Sequence, residues 1–144
     1  MKNKFSAKAE AIINVSPEKV WQALTDPAMV KQYLFGTEMT TDWKVGAAIT
    51  YKGEWEGKAY EDKGLVMEFE PPKRIVSTYW SSFSGLPDAP ENYQTVAYEL
   101  SPQDSGTRLT ITQSNVVTQD SADHSKKNWD GVLAGMKKLL ETKA

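Results

Sequence analysis

The sequence predicts one α+β domain in which a curved antiparallel sheet packs against a long C-terminal helix. Three observations lead to this prediction. Two helix-start signals follow the first strand, period-two alternation dominates the middle of the chain, and a helical apolar stripe runs through its end. No internal repeat, low-complexity tract or linker divides the chain, so we place a single domain over residues 1–144.

The first strand is predicted over residues 5–15, where charged residues alternate with Ala7, Ala9 and Ala11. This alanine face favours space beneath the sheet, or else a closely packed helix. Ser16-Pro17 then supplies a helix N-cap and a proline at the first helical position, where no N–H donor is needed. Asp26-Pro27 repeats the signal, so two short helices are expected before Gly36.

The middle of the chain reads as a series of antiparallel strands. Glu56-Gly57 forms a turn between the first two, and Gly64 marks a bulge in the return strand over residues 58–70, with Leu65, Met67 and Phe69 on one face. A third strand covers residues 74–80, a loop covers residues 81–92, and a last hairpin runs from about residue 96 to 117.

The final segment, from about Ser121, is predicted to be a long amphipathic helix. Its apolar residues recur at the spacing that places them on one helix face. They are Trp129, Val132, Leu133, Met136 and Leu140.

Composition excludes several classes of function. Seventeen basic and nineteen acidic residues are interspersed, so no basic field is present to bind nucleic acid. The absence of cysteine removes thiolate nucleophiles, disulfides and Cys-ligated metals. The basic start lacks the apolar core of a signal peptide, and no run is long enough to span a membrane. We therefore expect a cytoplasmic protein without membrane insertion.

Four segments together resemble a known family. Residues 16–27 resemble the first helix of the START-like, helix-grip superfamily that is often labelled SRPBCC. Within it, residues 43–46, 64–76 and 128–133 are similar to the activators of the ninety-kilodalton heat-shock protein ATPase. The resemblance covers nearly the whole chain with the motifs in order. It implies the helix-grip fold, also described as birch-pollen-allergen-like, with two short helices after the first strand.

The resemblance also implies a hydrophobic pocket, since relatives bind lipids, sterols, polyketides or aromatic hormones. Two departures from the family pattern stand out. The family usually has paired tryptophans at the end of the second short helix, whereas this chain has Tyr33-Leu34-Phe35-Gly36. The eukaryotic activators also carry an N-terminal chaperone-binding domain, for which 144 residues leave no room.

Motifs for catalysis are missing from the sequence. The lone His124 lies among polar residues near the start of the last helix and is expected at the surface. No nucleophile elbow, phosphate loop, dinucleotide motif or zinc motif is present, so we assign no catalytic residue, metal or cofactor. Carboxylates on the central strands alternate with lysines, which indicates charge pairing between strands on the solvent-exposed face of the sheet. Asp62 or Glu68 becomes a candidate acid only if it points inward.

The aromatic residues are the most informative set. Five Trp, six Tyr and four Phe are many for this length, and they suit either ordinary core packing or a lined cavity. The residues expected to line such a cavity, between the sheet and the C-terminal helix, are Tyr51, Trp55, Met67, Trp80, Tyr98, Trp129, Leu133 and Met136. The loop over residues 81–92 is either a plain connection or a lid that carries Phe83 and Leu86 inward.

Three functions are therefore weighed. The first is non-covalent binding of a small hydrophobic or aromatic molecule in the cavity. The second is an interaction module that regulates a chaperone ATPase, which rests on the resemblance alone. The third is a pocket enzyme of cyclase, dehydratase or hydrolase type that uses a tyrosine or a carboxylate. The missing nucleophiles favour binding over catalysis.

Overall fold

A computed structural model describes residues 5–33, 36–55, 57–81, 86–104 and 106–143. The strands are β1 Phe5–Ile13, β2 Glu38–Thr40, β3 Ala48–Trp55, β4 Lys58–Glu70, β5 Arg74–Tyr79, β6 Gln94–Gln103 and β7 Gly106–Val116. The helices are α1 Pro17–Thr25, α2 Pro27–Tyr33 and α3 Gln119–Lys143. A 3-10 turn covers Pro90–Asn92.

The seven strands form a single curved sheet in the order β1-β7-β6-β5-β4-β3-β2. Every neighbouring pair in this order is antiparallel. The two short helices follow the first strand, and the long helix closes the chain. The predicted α+β, helix-grip architecture is confirmed.

Both predicted helix starts are confirmed by their capping bonds. The Ser16 hydroxyl accepts a hydrogen bond from the backbone N–H of Lys19 at 3.3 Å, which satisfies one free donor of α1. The Asp26 carboxylate accepts one from the N–H of Ala28 at 3.0 Å at the start of α2. Beyond α2, Gly36 adopts a positive φ of 82°, a conformation that glycine tolerates best.

The β3–β4 hairpin is confirmed, but the predicted bulge lies at a different position. Trp55 pairs with Lys58 around the turn, where Gly57 has a φ of 80°. In β4 the register shifts between Val66 and Glu68, not at Gly64. Gly64 instead allows close approach of a neighbouring strand, since a Cβ there would lie only 1.7 Å from the Thr78 carbonyl oxygen.

Two elements escaped the sequence analysis. The three-residue strand β2 is too short to show an alternating pattern, and the 3-10 turn lies inside the segment predicted to be a loop. The long helix begins at Gln119, two residues before the predicted start, with the Thr118 hydroxyl accepting from the N–H of Ser121 at 3.0 Å. In the described ranges, no helix has the length and apolarity needed to cross a membrane.

The core lies between the concave face of the sheet and the three helices. α3 packs on β1 and contacts β7, whereas α1 contacts β6 and β7 and α2 packs against β2 at the other edge of the sheet. The end of α3 is fixed to β1, because Lys137 donates to the Ile12 carbonyl at 2.8 Å and Glu141 accepts from the Asn14 N–H at 2.9 Å. The interior therefore has two differently covered halves.

Candidate ligand cavity

The half of the interior under α3 is closely packed. Ala7 and Ala9 of β1 are buried, and Leu133 and Met136 of α3 are buried in the same apolar core. Small residues on the strand let the helix approach the sheet, which is the second of the two interpretations of the alanine face. These described residues at the interface between the sheet and the C-terminal helix are buried, and the cavity described next lies at a different place.

A small cavity lies instead beneath α1 and α2. Its volume is about 20 Å³, which is room for a single water molecule. It is bounded by the two short helices, by β2 and the segment after it, and by three strands of the sheet. The lining residues are Leu24, Val30, Tyr33, Met39, Trp43, Tyr51, Ile75, Ser77 and Tyr98.

The helical side of the cavity is held by hydrogen bonds from aromatic side chains. The Tyr33 hydroxyl donates to the Ala23 carbonyl at 2.8 Å and ties α2 to α1. Burial raises the pKa of the Tyr33 phenol well above its usual value, so this phenol keeps its proton. The Trp43 indole N–H donates to the Thr25 carbonyl at 3.1 Å, and its ring stacks on Phe69 with 5.6 Å between ring centroids.

One lining residue on the sheet side of the cavity, Tyr51, belongs to a polar cluster with Asp62 and Tyr79, which do not line the cavity themselves. Tyr51 of β3 and Asp62 of β4 are direct cross-strand partners. The Tyr79 hydroxyl of β5 donates to the Asp62 carboxylate at 2.6 Å, and its ring lies 6.2 Å from that of Tyr51 in an edge-to-face arrangement. Burial, followed by the Asp62 charge, raises the pKa of both phenols far above the usual range, so both stay protonated.

Asp62 is the candidate residue whose orientation the strand pattern leaves open. Its side chain is only 8% exposed, and in the described part of the chain it is the one buried Asp, Glu, Lys, Arg or His. It points inward because Gly64 and Val66 share its face. Glu68, the other candidate, is exposed and pairs with Arg74 on the outer face.

Met67 is the clearest error among the predicted lining residues. It is 49% exposed, on the outer face of β4 beside Leu65. The register shift between Val66 and Glu68 explains the error, since it brings Phe69 back to the core while Leu65 and Met67 stay outside. The sequence prediction, with its bulge at Gly64, puts Leu65, Met67 and Phe69 on the same face.

Trp80 also lies outside the cavity. Because Tyr79 points inward, Trp80 points the opposite way, where its ring stacks on Tyr93 with 6.5 Å between centroids. The Lys63 ammonium lies 5.7 Å from the centre of its ring, and its indole N–H donates to the Leu86 carbonyl at 3.3 Å. Leu86 thus belongs to a segment bound to the outside of β4 and β5 rather than to the cavity wall.

The other predicted site residues divide into three groups. Tyr51 and Tyr98 line the cavity. Trp129 packs edge-to-face on Tyr98 at 5.9 Å and donates to the Gln113 side-chain oxygen at 2.8 Å, and with Leu133 and Met136 it belongs to the packed half. Phe83 and the side chain of Trp55 lie outside the described residues.

Several lining residues were missed for identifiable reasons. Tyr33 falls in a helical apolar stripe and Trp43 in a family motif, and neither pattern predicts that the residue lines a cavity. Met39 belongs to the strand that is too short to detect, and Ser77 is a small polar residue that follows two apolar ones in β5. Ser77 lies in a strand with high β propensity. A buried hydroxyl there is unfavourable unless it forms a hydrogen bond or faces a cavity, and this is the feature that could have identified it.

Neither a metal site nor a catalytic histidine emerges from the described residues. No group of three or more His, Asp or Glu side chains among them is placed to hold a metal ion. His124 is exposed on α3, as predicted. The lining of the cavity consists mainly of aromatic and apolar side chains, with the hydroxyl of Ser77 among them.

The family model described as "Activator of Hsp90 ATPase homolog 1-like protein" matches residues 14–141. The chain belongs to this family. A search of curated proteins gives no match. The solution structure of the protein ChR145 from Cytophaga hutchinsonii is 43% identical to this chain with a TM-score of 0.85, and the match covers 99% of this chain and 98% of that one.

More distant structures show the same fold. A crystal structure of a Mesorhizobium loti protein has a TM-score of 0.80 at 23% identity, over 97% of this chain and 99% of that one. The solution structure of the Aha1 dimer from Colwellia psychrerythraea has a TM-score of 0.76 at 23% identity, over 96% and 97%. These two structures therefore share the fold of this chain at low sequence identity.

Proposed function

We propose that the protein binds a small hydrophobic or aromatic molecule, without covalent chemistry, in the cavity beneath α1 and α2. The observation that supports this most is an unfilled space in an otherwise close-packed interior, walled by tyrosine and tryptophan rings. Tyrosine hydroxyl groups at this wall can fix the orientation of a ligand, while the rings supply apolar contact. Membership of a helix-grip family adds to this support.

The volume of the cavity sets a condition on this proposal. At about 20 Å³ the space does not accept a ligand larger than water, so binding requires the cover to move. The cover consists of short elements, since α2 has seven residues and β2 has three. Local opening of such elements requires less free energy than global unfolding. We therefore expect ligand binding to displace α2 and to open the pairing of β2 with β3 at the edge of the sheet.

Native mass spectrometry of the purified protein tests for a co-purifying small molecule. In parallel, lipids, polyketides and flavonoids are titrated while tryptophan emission and the melting temperature are followed. Trp43→Phe is expected to abolish the emission change because Trp43 lines the cavity, whereas Trp80→Phe on the outer face retains it. The absence of any bound mass and of any thermal shift across these compounds contradicts the proposal.

A regulatory contact with a chaperone ATPase is a second candidate, supported by the family description. One surface feature favours it. Val45, Leu65 and Met67 are 68%, 46% and 49% exposed, and the last two are adjacent outward positions of β4. Exposed apolar side chains of this kind occur at protein contact sites.

This second candidate is tested with the heat-shock chaperone of the same organism, in a pull-down and an ATPase assay. Met67→Glu is expected to weaken binding and any change in ATPase rate. Val117→Glu, at an exposed apolar residue beyond the end of β7, serves as the matched control. Equal binding by the wild type and both variants contradicts a role for this face, and no binding at all contradicts the chaperone contact.

A further inference from the structure

Three residues with hydroxyl groups line the cavity from the sheet: Tyr51 of β3, Ser77 of β5 and Tyr98 of β6. We call their hydroxyls the sheet-side hydroxyls. Ser77 is only 3% exposed. Ile75, another lining residue, is the cross-strand partner of Tyr98 and lies two positions before Ser77. Ser77 and Tyr98 therefore project from neighbouring strands onto the same face of the sheet.

None of the three sheet-side hydroxyls has a hydrogen-bond partner within the described part of the chain. Tyr51 and Tyr98 have ring contacts with their neighbours but no bond from the hydroxyl. The remaining tyrosine of the lining, Tyr33, differs because its hydroxyl donates to the Ala23 carbonyl. A buried hydroxyl without a partner is unfavourable. The sheet wall of the cavity thus offers unused hydrogen-bonding groups to a bound molecule.

The chemistry of these groups suits a neutral acceptor. Burial raises the pKa of the Tyr51 and Tyr98 phenols above the usual value, so both phenols keep the proton that they can donate. A phenol shares its lone pairs with its ring, so it donates a hydrogen bond more readily than it accepts one. No Lys, Arg or His lies in the described lining, and a carboxylate would therefore lose its hydration without gaining an ion pair. These features favour a carbonyl oxygen.

We propose that the ligands of this cavity are neutral carbonyl compounds with an aromatic or apolar body, whose carbonyl oxygen accepts hydrogen bonds from the sheet-side hydroxyls. This rests on the proposed ligand-binding function and narrows it to one chemical class. The space of about 20 Å³ accommodates such an oxygen, while the body of the ligand occupies the room that the displaced cover leaves. Ser77 and Tyr98 keep their positions during this opening, because β5 and β6 are paired on both sides.

The experiment uses two probes of nearly the same shape, acetophenone and isopropenylbenzene. In the second probe a C=CH₂ group replaces the C=O group, so it cannot accept a hydrogen bond in the same way. Affinities are measured by NMR through the methyl group of Met39, which lines the cavity. Acetophenone labelled with carbon-13 at its carbonyl reports the hydrogen bond directly, since this resonance moves downfield when the oxygen accepts one.

Ser77→Ala and Tyr98→Phe each remove one sheet-side hydroxyl. Each variant is expected to weaken acetophenone binding about three- to tenfold and to leave isopropenylbenzene within about twofold of the wild type. The carbonyl resonance of bound acetophenone is expected further downfield in the wild type than in either variant. Tyr79→Phe is the matched control, because its hydroxyl lies on the same sheet but donates to Asp62 outside the cavity lining, and both affinities are expected to stay unchanged. A thermal melt of each variant establishes that the fold is retained.

The outcomes separate this inference from the function on which it rests. If Ser77→Ala and Tyr98→Phe weaken both probes alike, or weaken neither, carbonyl recognition is wrong while the cavity remains a binding site. If Tyr79→Phe weakens acetophenone as much as they do, the effect is a general loosening of the sheet and the role of the hydroxyls is wrong. If neither probe binds although a compound of the wider set does, the inference alone is wrong. If that set of lipids, polyketides and flavonoids also fails, both proposals are wrong.

Discussion

The α3-covered half and the α1/α2-covered half of the interior share one sheet but are packed in different ways. Under α3, alanines on β1 let the helix lie close, and flexible aliphatic side chains such as Met136 fill the space. Under α1 and α2, rigid rings such as Tyr51 and Trp43 meet at fixed angles and leave a gap. Small residues on a strand thus indicate close packing here, and large aromatic residues accompany the cavity.

The largest expected effect is in the packed half. Leu133→Ala removes a fully buried side chain from α3 and leaves a hole that close-packed neighbours cannot collapse into. We expect the free energy of unfolding to fall by about 2–5 kcal/mol, measured by denaturant unfolding. Met67→Ala on the outer face, as a control, is expected to change it by less than about 1 kcal/mol. Similar losses for the two variants would contradict the described packing.

Small-to-large substitutions compare the packing of the two halves directly. Ala9→Leu inserts three carbons between β1 and α3, where no space exists, and is expected to cost about 1–3 kcal/mol. Ser77→Val also enlarges a buried residue, but it faces the cavity and is expected to stay within about 1 kcal/mol of the wild type. If Ser77→Val destabilises the protein more than Ala9→Leu, the contrast between the halves is wrong.

The polar cluster gives the third prediction. Tyr79→Phe removes the hydroxyl that donates to Asp62 and leaves a buried carboxylate with one donor fewer. We expect a loss of about 1–3 kcal/mol in the free energy of unfolding, measured by denaturant titration. Tyr93→Phe, whose hydroxyl donates to the exposed Asp88, provides the control and is expected to cost less, since water can replace that bond.

If Tyr79→Phe and Tyr93→Phe lower the free energy of unfolding equally, the Asp62–Tyr79 pair is in contact with solvent. Such a result would thereby remove the distinction between a buried polar cluster and the surface pair.

The sequence predicted the fold better than it predicted the site. Strands and helix starts are local, so alternation and the two capping signals at Ser16 and Asp26 were sufficient to locate them. The lining of the cavity depends on which face each strand turns inward, and one bulge decides that face for a whole segment. The bulge at Val66–Glu68, two residues beyond the predicted one, accounts for the error at Met67.

The position of the cavity was harder still to predict, because it depends on tertiary packing. The alternation of Ala7 and Ala9 with charged residues indicates a small inner face, but it does not determine whether a helix fills the space above it. Asp62 shows the same limit, since its inward direction follows from the orientation of β4 as a whole. Tyr51 and Tyr98 were found because tyrosines on a core-facing strand are informative in any packing.

The smallest expected effect is a pH dependence at the edge of the packed half. A hydrogen bond from Lys137, then one from the Asn14 N–H, lowers the pKa of Glu141 below its usual value of 4.5. Because the pKa of Glu141 is lower in the folded state, its ionised carboxylate stabilises the folded protein at any pH above the usual pKa. This stabilisation is lost as the pH falls through the lowered pKa. The melting temperature of Glu141→Gln is therefore expected to lie below that of the wild type at neutral pH.

Thermal melts of both proteins at a series of pH values measure this difference, which is expected to shrink in acid. A difference that stays constant through the acid range would mean that the charge of Glu141 has no part in tying α3 to β1.

The central claim is that the cavity beneath α1 and α2, not the interface with α3, is the ligand site. Its most direct test is a titration of the wild-type protein with toluene, followed through the methyl resonances of its methionines. Met39 lines the cavity, Met136 lies in the packed half and Met67 lies on the outer face. We predict that the Met39 resonance shifts in a saturable manner while those of Met136 and Met67 remain in place. A shift at Met136 without one at Met39, or no shift at any of the three, would contradict the claim.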